Sequence, residues 1–376
     1  DWRAKGTPVG PPVETEDFVL LARHRAFSVP SLLKPKALDS SGATVASLGV
    51  LCRWLSEQAE AAGVEIYPGF AADTLLYGEG GKVIGVGVGD KGVGRDGRAR
   101  AGFAPGVDIL ARYTLLAEGA RGHLGLAALE RFDLARGRSP QTYGLGVKEL
   151  WRLAPEKRQP GRVLHSIGWP LDANTYGGGF LYHGEEGRLA VGFVVGLDYQ
   201  NPFLNPFAEL QRFKTHPALR SVFAGGERIA YGARALTEGG IQSMPRLDFP
   251  GGALLGCDAG MLNVARIKGA HTAMKSGMLA AEAAFSALAK GGAPDGLAPY
   301  DAAFRASWAG KELARARNVR PGFRYGLWPG LVHAGLDQLV LRGRAPWTFP
   351  HRAQDRARLR EAKSVRKIDY PAPDGR

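Results

Sequence analysis

The stretch richest in chemical suggestion is GGALLGCDAGMLNVARIKGAHTAMKSGMLAAEAAF, residues 251–285. Its first residues predict a short buried strand over 252–256 that ends in Gly256, Cys257 and Asp258. A turn-rich loop follows. Gly269 then opens a helix that carries Ala273, Gly277, Ala280, Ala281 and Ala284 on one face. A carboxylate at a strand end can accept hydrogen bonds from the hydroxyls of a polyol. A helix N-terminus offers free N–H groups and partial positive charge to an anion or an electron-rich ring. An ordinary strand-to-helix turn of an α/β domain accounts for the same pattern.

A second candidate is Tyr176-Gly177-Gly178-Gly179-Phe180. Three glycines ahead of an apolar strand let backbone N–H groups approach a flat ligand closely; a bulge or sheet corner is the plainer alternative. A third stretch, Gly87-Val88-Gly89-Asp90-Lys91-Gly92, matches the dinucleotide pattern G-x-G-x-x-G. No helix follows it, only the turn residues 93–97, so the pyrophosphate would find no helix N-terminus and a hairpin is predicted instead.

The wording around these stretches carries a resemblance. YGLGVKELW (143–151), GWPLDANTYGGGFLYH (168–183), VVGLDYQNPF (194–203), ERIAYGARALTEGG (227–240) and IKGAHTAMKSGMLAAE (267–282) resemble the electron transfer flavoprotein–ubiquinone oxidoreductase family over nearly the whole chain. The resemblance implies an FAD enzyme that takes electrons from reduced electron transfer flavoprotein through a [4Fe-4S] cluster and passes them to ubiquinone at a membrane. In such proteins a positive helix end favours the reduced, anionic flavin. The resemblance places FAD against Gly256, Asp258, Lys268, Gly269 and Thr272, with Asp258 standing where many members carry a smaller residue. It adds the segment Ala117-Glu118-Gly119, after an apolar strand over 108–117, and Ala71 in the Phe70-Ala71-Ala72 loop at the adenine end. Gly177 and Gly178 are placed at the quinone headgroup. No protein nucleophile is needed, because the flavin carries the redox chemistry.

The implied fold is α/β (α+β): a two-domain FAD-binding fold with an inserted antiparallel-sheet quinone-binding domain. The expected divisions are 1–139, part of the FAD domain with a membrane-contacting loop near 25–38; 140–250, the ubiquinone-binding domain; 251–290, the second flavin segment; and 291–376, a helical membrane-surface segment with a basic tail. The chain begins without methionine and stops where the family continues, so it reads as an internal fragment. The dinucleotide fingerprint is expected upstream of it. The cluster's cysteines are expected in a ferredoxin-like domain downstream.

Composition limits the alternatives. A length of 376 residues allows one large core or two moderate ones. A net charge of +13 favours anionic partners. With no RNA-binding signature or zinc finger, nucleic acid is not an expected partner. Cys52 and Cys257 offer neither a disulfide framework nor a metal motif, which suits a reducing compartment. The eight histidines fall in no ligand spacing, and no signal peptide shows.

Periodicity predicts helices over 48–62, 124–132, 207–214 and 298–317. Strands are expected over 64–67, 72–77, 82–88, 141–149, 162–169, 179–182, 188–196 and 228–233. Residues 1–46 read as loop-rich. Two apolar stretches with basic flanks, Phe27 to Lys36 and Gly326 to Leu341, suit insertion into a membrane surface; a loop packed on the protein itself and a buried helix with basic flanks are the plainer alternatives. The second stretch falls short of the ~20 residues of a spanning helix. Residues 352–367 read as a solvated basic run. The family resemblance favours the membrane reading and implies monotopic attachment, to the cytoplasmic face of a bacterial inner membrane or the matrix side of a mitochondrial one. Two other readings share some features: a related FAD reductase of the isoprenoid-chain or nitrogen-fixation type, and a non-catalytic basic membrane-surface protein.

Overall fold

A computed structural model describes residues 4–289 and 296–372. The chain-end residues read above as fragment marks lie outside the described residues, as do 290–295 at the junction of the last two expected divisions.

The chain opens with strands β1 (Thr15–Leu21) and β2 (Ala26–Ser28), in a stretch read as loop-rich with no strand singled out. Helix α1 (Leu48–Ala61) follows as its spacing predicts. Next come β3 (Ala72–Tyr77), β4 (Val83–Val88), β5 (Lys91–Val93), β6 (Ala99–Ala104), β7 (Val107–Leu110) and β8 (Thr114–Leu116). No helix follows the G-x-G-x-x-G stretch, which runs from β4 into β5 of a different sheet; the hairpin is formed just after it, by β5 with β6. The single strand expected over 108–117 is two: β7 pairs with β4 and β8 joins a different sheet. Residues 64–67 are not a strand. Helix α2 (His123–Arg131) follows the Glu118–Gly122 turn.

The second half supplies β9 (Tyr143–Arg152), β10 (Arg162–Gly168), β11 (Gly177–His183), β12 (Arg188–Gly196), helix α3 (Pro206–Lys214) and β13 (Glu227–Thr237). Asn205 caps α3 by accepting from the N–H groups of Phe207 and Ala208, and Pro206 starts the first turn, where its missing N–H costs nothing. Strands β14 (Asp248–Phe249) and β15 (Gly252–Leu254) lead to helix α4 (Ala270–Ala289). The helix expected over 298–317 is broken into α5 (Ala298–Ala306) and α6 (Trp308–Ala316). The break is at Ser307, which turns to extended geometry and caps α6 by accepting from Gly310 N at 3.3 Å. A short α7 (Val319–Gly322) and then α8 (Leu327–Gly335) close the regular structure, and α8 runs on as a π-type turn through Val340.

The main sheet has seven strands in the order β13-β9-β12-β11-β10-β1-β2. All its pairs are antiparallel except β1 with β10. Residues 15–28 therefore belong to the same sheet as residues 143–237. A small sheet, β14-β15-β8, holds the other chemically suggestive stretch, with β15 and β8 parallel. Each sheet has its own core. Leu181, Val191, Phe193, Leu210 and Phe213 centre one, between the seven-stranded sheet and α3. Leu116, Phe249, Leu254, Tyr300 and Phe304 centre the other, among the small sheet, α2, α4 and α5.

Candidate functional site

Strands β8 and β15 run in the same direction, so their carboxyl ends lie side by side. This is where an open α/β sheet presents a crevice for a ligand. Ala117, Glu118 and Gly119 leave β8 there, and Gly256 and Asp258 follow β15. Asp258 Oδ2 accepts from the Glu118 N–H at 2.9 Å, and Glu118 Oε2 accepts from the Gly125 N–H of α2 at 2.8 Å. Burial, with the nearby Glu118 carboxylate adding to it, lifts Asp258 to about 6, despite the stabilising backbone bond. His123 reaches both ways: Nδ1 stands 3.3 Å from Glu118 Oε1, and Nε2 is 3.2 Å from the Asp73 carbonyl. The fold thus brings the exposed loop of Ala71 close to the Glu118 turn.

Gly256 has φ +54, and a Cβ on it would press against Ala273 of α4, so the turn sits directly on that helix. The Gly256 N–H donates to Ser276 Oγ at 3.0 Å. Gly269 immediately precedes α4. Thr272 is fully buried, and its hydroxyl donates to the carbonyls of Met261 and Gly269, tying the loop to the helix. Lys268 points toward the large sheet, with Nζ 3.2 Å from Ser40 Oγ.

The glycine run occupies the start of β11. Register and alternation put Gly178, Phe180 and Tyr182 on the sheet face away from α3. Gly144 and Gly146 of β9, Gly192 of β12 and His165 of β10 share that face. The low part of this face, the glycine floor, is Gly146 and Gly178 on either side of the Val194 side chain; the Phe180 ring lies over Gly192, and Glu238 with Val194 stands against Gly144. Cβ atoms at Gly177 and Gly178 would overlap the carbonyl oxygens of Val194 and Ser166. Close backbone approach inside the sheet already demands glycine at both positions.

One end of the floor is closed by a buried ionic cluster. Arg320 of α7 donates to Asp198 Oδ1 at 2.7 Å and to Glu238 Oε2 at 2.8 Å, and lies 4.1 Å from the Tyr176 ring. Arg358 bonds Asp198 Oδ2 at 2.7 Å, and Asp355 accepts from the Tyr143 N–H at 2.8 Å. Part of the basic tail is therefore fastened to the sheet instead of lying free in solvent. Burial raises Glu238, and also Tyr176 beside it. The other end carries Glu16, Lys34, Ser40, His165 and Tyr182. Neither cluster has a local sequence signal: Glu16 stood in a stretch read as loop, and Arg320 and Glu238 are 82 residues apart.

A protein named electron transfer flavoprotein–ubiquinone oxidoreductase in Pseudomonas aeruginosa is 47% identical over 380 residues, covering 100% of this chain and 69% of that one. The chain belongs to the electron transfer flavoprotein–ubiquinone oxidoreductase family. A family model described as "ETF-QO, ubiquinone-binding" matches residues 143–236, the span of β9 to β13. The mitochondrial family member of Rattus norvegicus is likewise 47% identical, over 384 residues, 100% of this chain and 62% of that protein. The chain thus spans a little under two thirds of the length of that mammalian relative.

Solved structures share the fold at low identity. A geranylgeranyl bacteriochlorophyll reductase-like protein from Thermoplasma acidophilum superposes with TM-score 0.59 at 18% identity, over 80% of this chain and 69% of the other. A triple mutant of the flavin-dependent brominase Bmp2 gives 0.58 at 16%, over 92% and 81%. The α/β organisation with a separate sheet-rich part is therefore shared with these two proteins.

Proposed function

We propose that this chain carries the flavin-facing and quinone-binding parts of an enzyme that takes electrons from reduced electron transfer flavoprotein and reduces ubiquinone at a membrane surface. The observation that carries the reading is the glycine floor. A flat headgroup needs low ground beside an apolar side chain, and Gly146 and Gly178 provide it on either side of Val194, on a sheet tied to the flavin-type segment through Lys268 and Ser40. Tyr176 and Phe180 border it.

FAD fits the crevice on two grounds. Gly119 has φ +98 with open space around it, so a ligand can come close to the backbone there. Asp258 and Glu118 stand together at adjoining parallel strand ends, where carboxylates can accept from ribose or ribityl hydroxyls. Ala71 would lie at the adenine end, and Lys268 and Gly269 at the isoalloxazine end, where the start of α4 favours negative charge. Thr272 would hold the loop for this purpose. Bound there, FAD would supply two-electron storage. The chain's two cysteines cannot supply four ligands, so we place the [4Fe-4S] cluster outside it.

Membrane attachment rests on an exposed apolar band. Leu32 is 87% exposed, Val332 75% and Val340 68%, with Phe27, Leu33, Trp328 and Leu336 also exposed. Among the described residues no helix is long and apolar enough to cross a membrane. We infer that the band dips into one leaflet, with Lys36, Arg342 and Arg344 among the headgroups.

A photoreactive ubiquinone analogue tests the pocket in the full-length, flavin-loaded protein. Cross-links should fall within residues 176–182 and be lost when excess ubiquinone competes. Labelling confined to another part of the molecule would remove the quinone reading. Serine at Leu32, Leu33 and Val332 together should release the protein from liposomes; unchanged co-sedimentation would remove the membrane reading.

A further inference from the structure

Adding two electrons to a quinone also requires two protons, and the carboxyl nearest the glycine floor at its ionic-cluster end, Glu238 beside Gly144, is held by Arg320. The cluster at the floor's β10–β1 end offers a route. Lys34 Nζ, 19% exposed at its side chain, donates to Glu16 Oε2 at 2.7 Å. Glu16 Oε1 accepts from Ser40 Oγ at 2.7 Å and lies 3.8 Å from His165 Nδ1. His165 Nε2 is 2.8 Å from the Tyr182 hydroxyl. Tyr182 stacks on Phe180, with ring centroids 4.6 Å apart, and both share the sheet face of Gly178.

We propose that Lys34, Glu16, His165 and Tyr182 form a proton-conducting chain from the surface to the glycine floor, delivering one of the two protons a quinone takes up with two electrons. The inference rests on the quinone reading above. The electrons come from a reduced flavin. The Tyr182 O–H bond breaks as a new O–H bond forms on the quinone oxygen. Tyr182 regains its proton from His165 Nε2. His165 Nδ1 takes one from Lys34 by way of Glu16, and solvent reprotonates Lys34. The 3.8 Å gap from Glu16 to His165 closes by a small side-chain shift or one bridging water.

The charged groups facing His165 and Tyr182 suit transfer over storage. Burial holds His165 near 4, with the Lys268 charge adding to the effect, so its ring is neutral and free to relay. Burial would raise Glu16, but hydrogen bonds from Lys34 and Ser40 outweigh it and keep the carboxylate ionised. Burial lowers Lys268.

The test uses full-length holoenzyme and separates electron entry from quinol formation. Tyr182→Phe should slow quinol formation at least about tenfold, enlarge its solvent deuterium isotope effect and leave the KM for quinone and flavin reduction by the partner flavoprotein unchanged. Glu16→Gln should shift the pH profile of quinol formation, and Glu16→Asp should recover part of the rate. Infrared difference spectra of quinone reduction should show a tyrosine ring mode that Tyr182→Phe removes. If Glu16→Gln does not fold, Tyr182→Phe, which loses one hydroxyl, still decides. A parental rate and isotope effect in Tyr182→Phe, or no tyrosine mode, would overturn the chain. Parental enzyme that accepts electrons yet forms no quinol would overturn the quinone reading, and the chain with it.

Discussion

Along β9, β11 and β12, alternate residues go to opposite faces of one sheet. The α3 face receives Val147, Leu181, Val191, Phe193 and Val195, all buried under Leu210 and Phe213. Its one deep charge, Glu149, is held by Lys214 at 2.7 Å, by Gln211 and by the Trp151 N–H. The opposite face receives Gly144, Gly146, Gly178 and Gly192 interspersed with Val194, Phe180, Tyr182 and Lys148, with ionic clusters at both ends. One face gives up polar function to gain packing. The other gives up packing to leave room. The strands take their packing from the α3 side, and the opposite face carries the glycines together with the buried charges at its two ends.

Losing either support should cost most. Phe213→Ala empties the centre of the α3 core and should lower unfolding free energy by about 3–5 kcal/mol, read by denaturant titration. Arg320→Met should cost about as much, because Asp198 and Glu238 are left buried without their partner. Adding Glu238→Gln should restore part of that loss by removing one stranded charge. Full stability of Arg320→Met alone would mean that the cluster does not hold the open face together.

Glycines sharpen the contrast at the next level. A Cβ on Gly179 would run into the Phe213 ring. Gly179→Ala should therefore cost about 1–3 kcal/mol through overpacking.

Smaller still is a pH effect. Burial holds His165, His183 and His351 near 4 in the folded protein, against an ordinary value of 6.5. As pH falls from about 6.5 toward 4, the unfolded chain takes up protons that these rings refuse. Stability should be full above pH 6.5 and decline through that window, by at most about 1.4 kcal/mol per pH unit for each histidine. His165→Gln should flatten the slope; an identical slope in that variant would show that His165 is not buried neutral.

Gly146→Ala should do least to the fold. Its nearest neighbours would be Leu236 and Val194 side-chain carbons at 3.7 Å, an ordinary contact. Stability should stay within about 0.5 kcal/mol, while the KM for quinone rises because a Cβ narrows the space beside Val194. A Gly146→Ala variant as destabilised as Gly179→Ala would erase the distinction between the faces.

Local pattern sufficed where the determinant was local. The spacing of Leu51, Trp54, Leu55 and Ala59 marked α1, and β12 was legible residue for residue from Arg188 to Gly196. The strand-turn-helix order around Gly256 and Gly269 was readable for the same reason, as was the missing helix after the G-x-G-x-x-G stretch. Family wording singled out Gly177 and Gly178, but only the folded backbone shows that neighbouring carbonyls exclude a Cβ there. Where pairing partners lie far apart, sequence was silent. Strand β1 exists because it pairs with β10, nearly 150 residues on, and residues 108–117 divide because their two halves find different sheets. Glu16, His165 and Tyr182 come from three strands, and Arg320, Asp198 and Glu238 from three separate segments. A charge becomes part of a buried cluster only when the chain closes around it, because only then does losing water make its partners matter. That closure belongs to the tertiary structure.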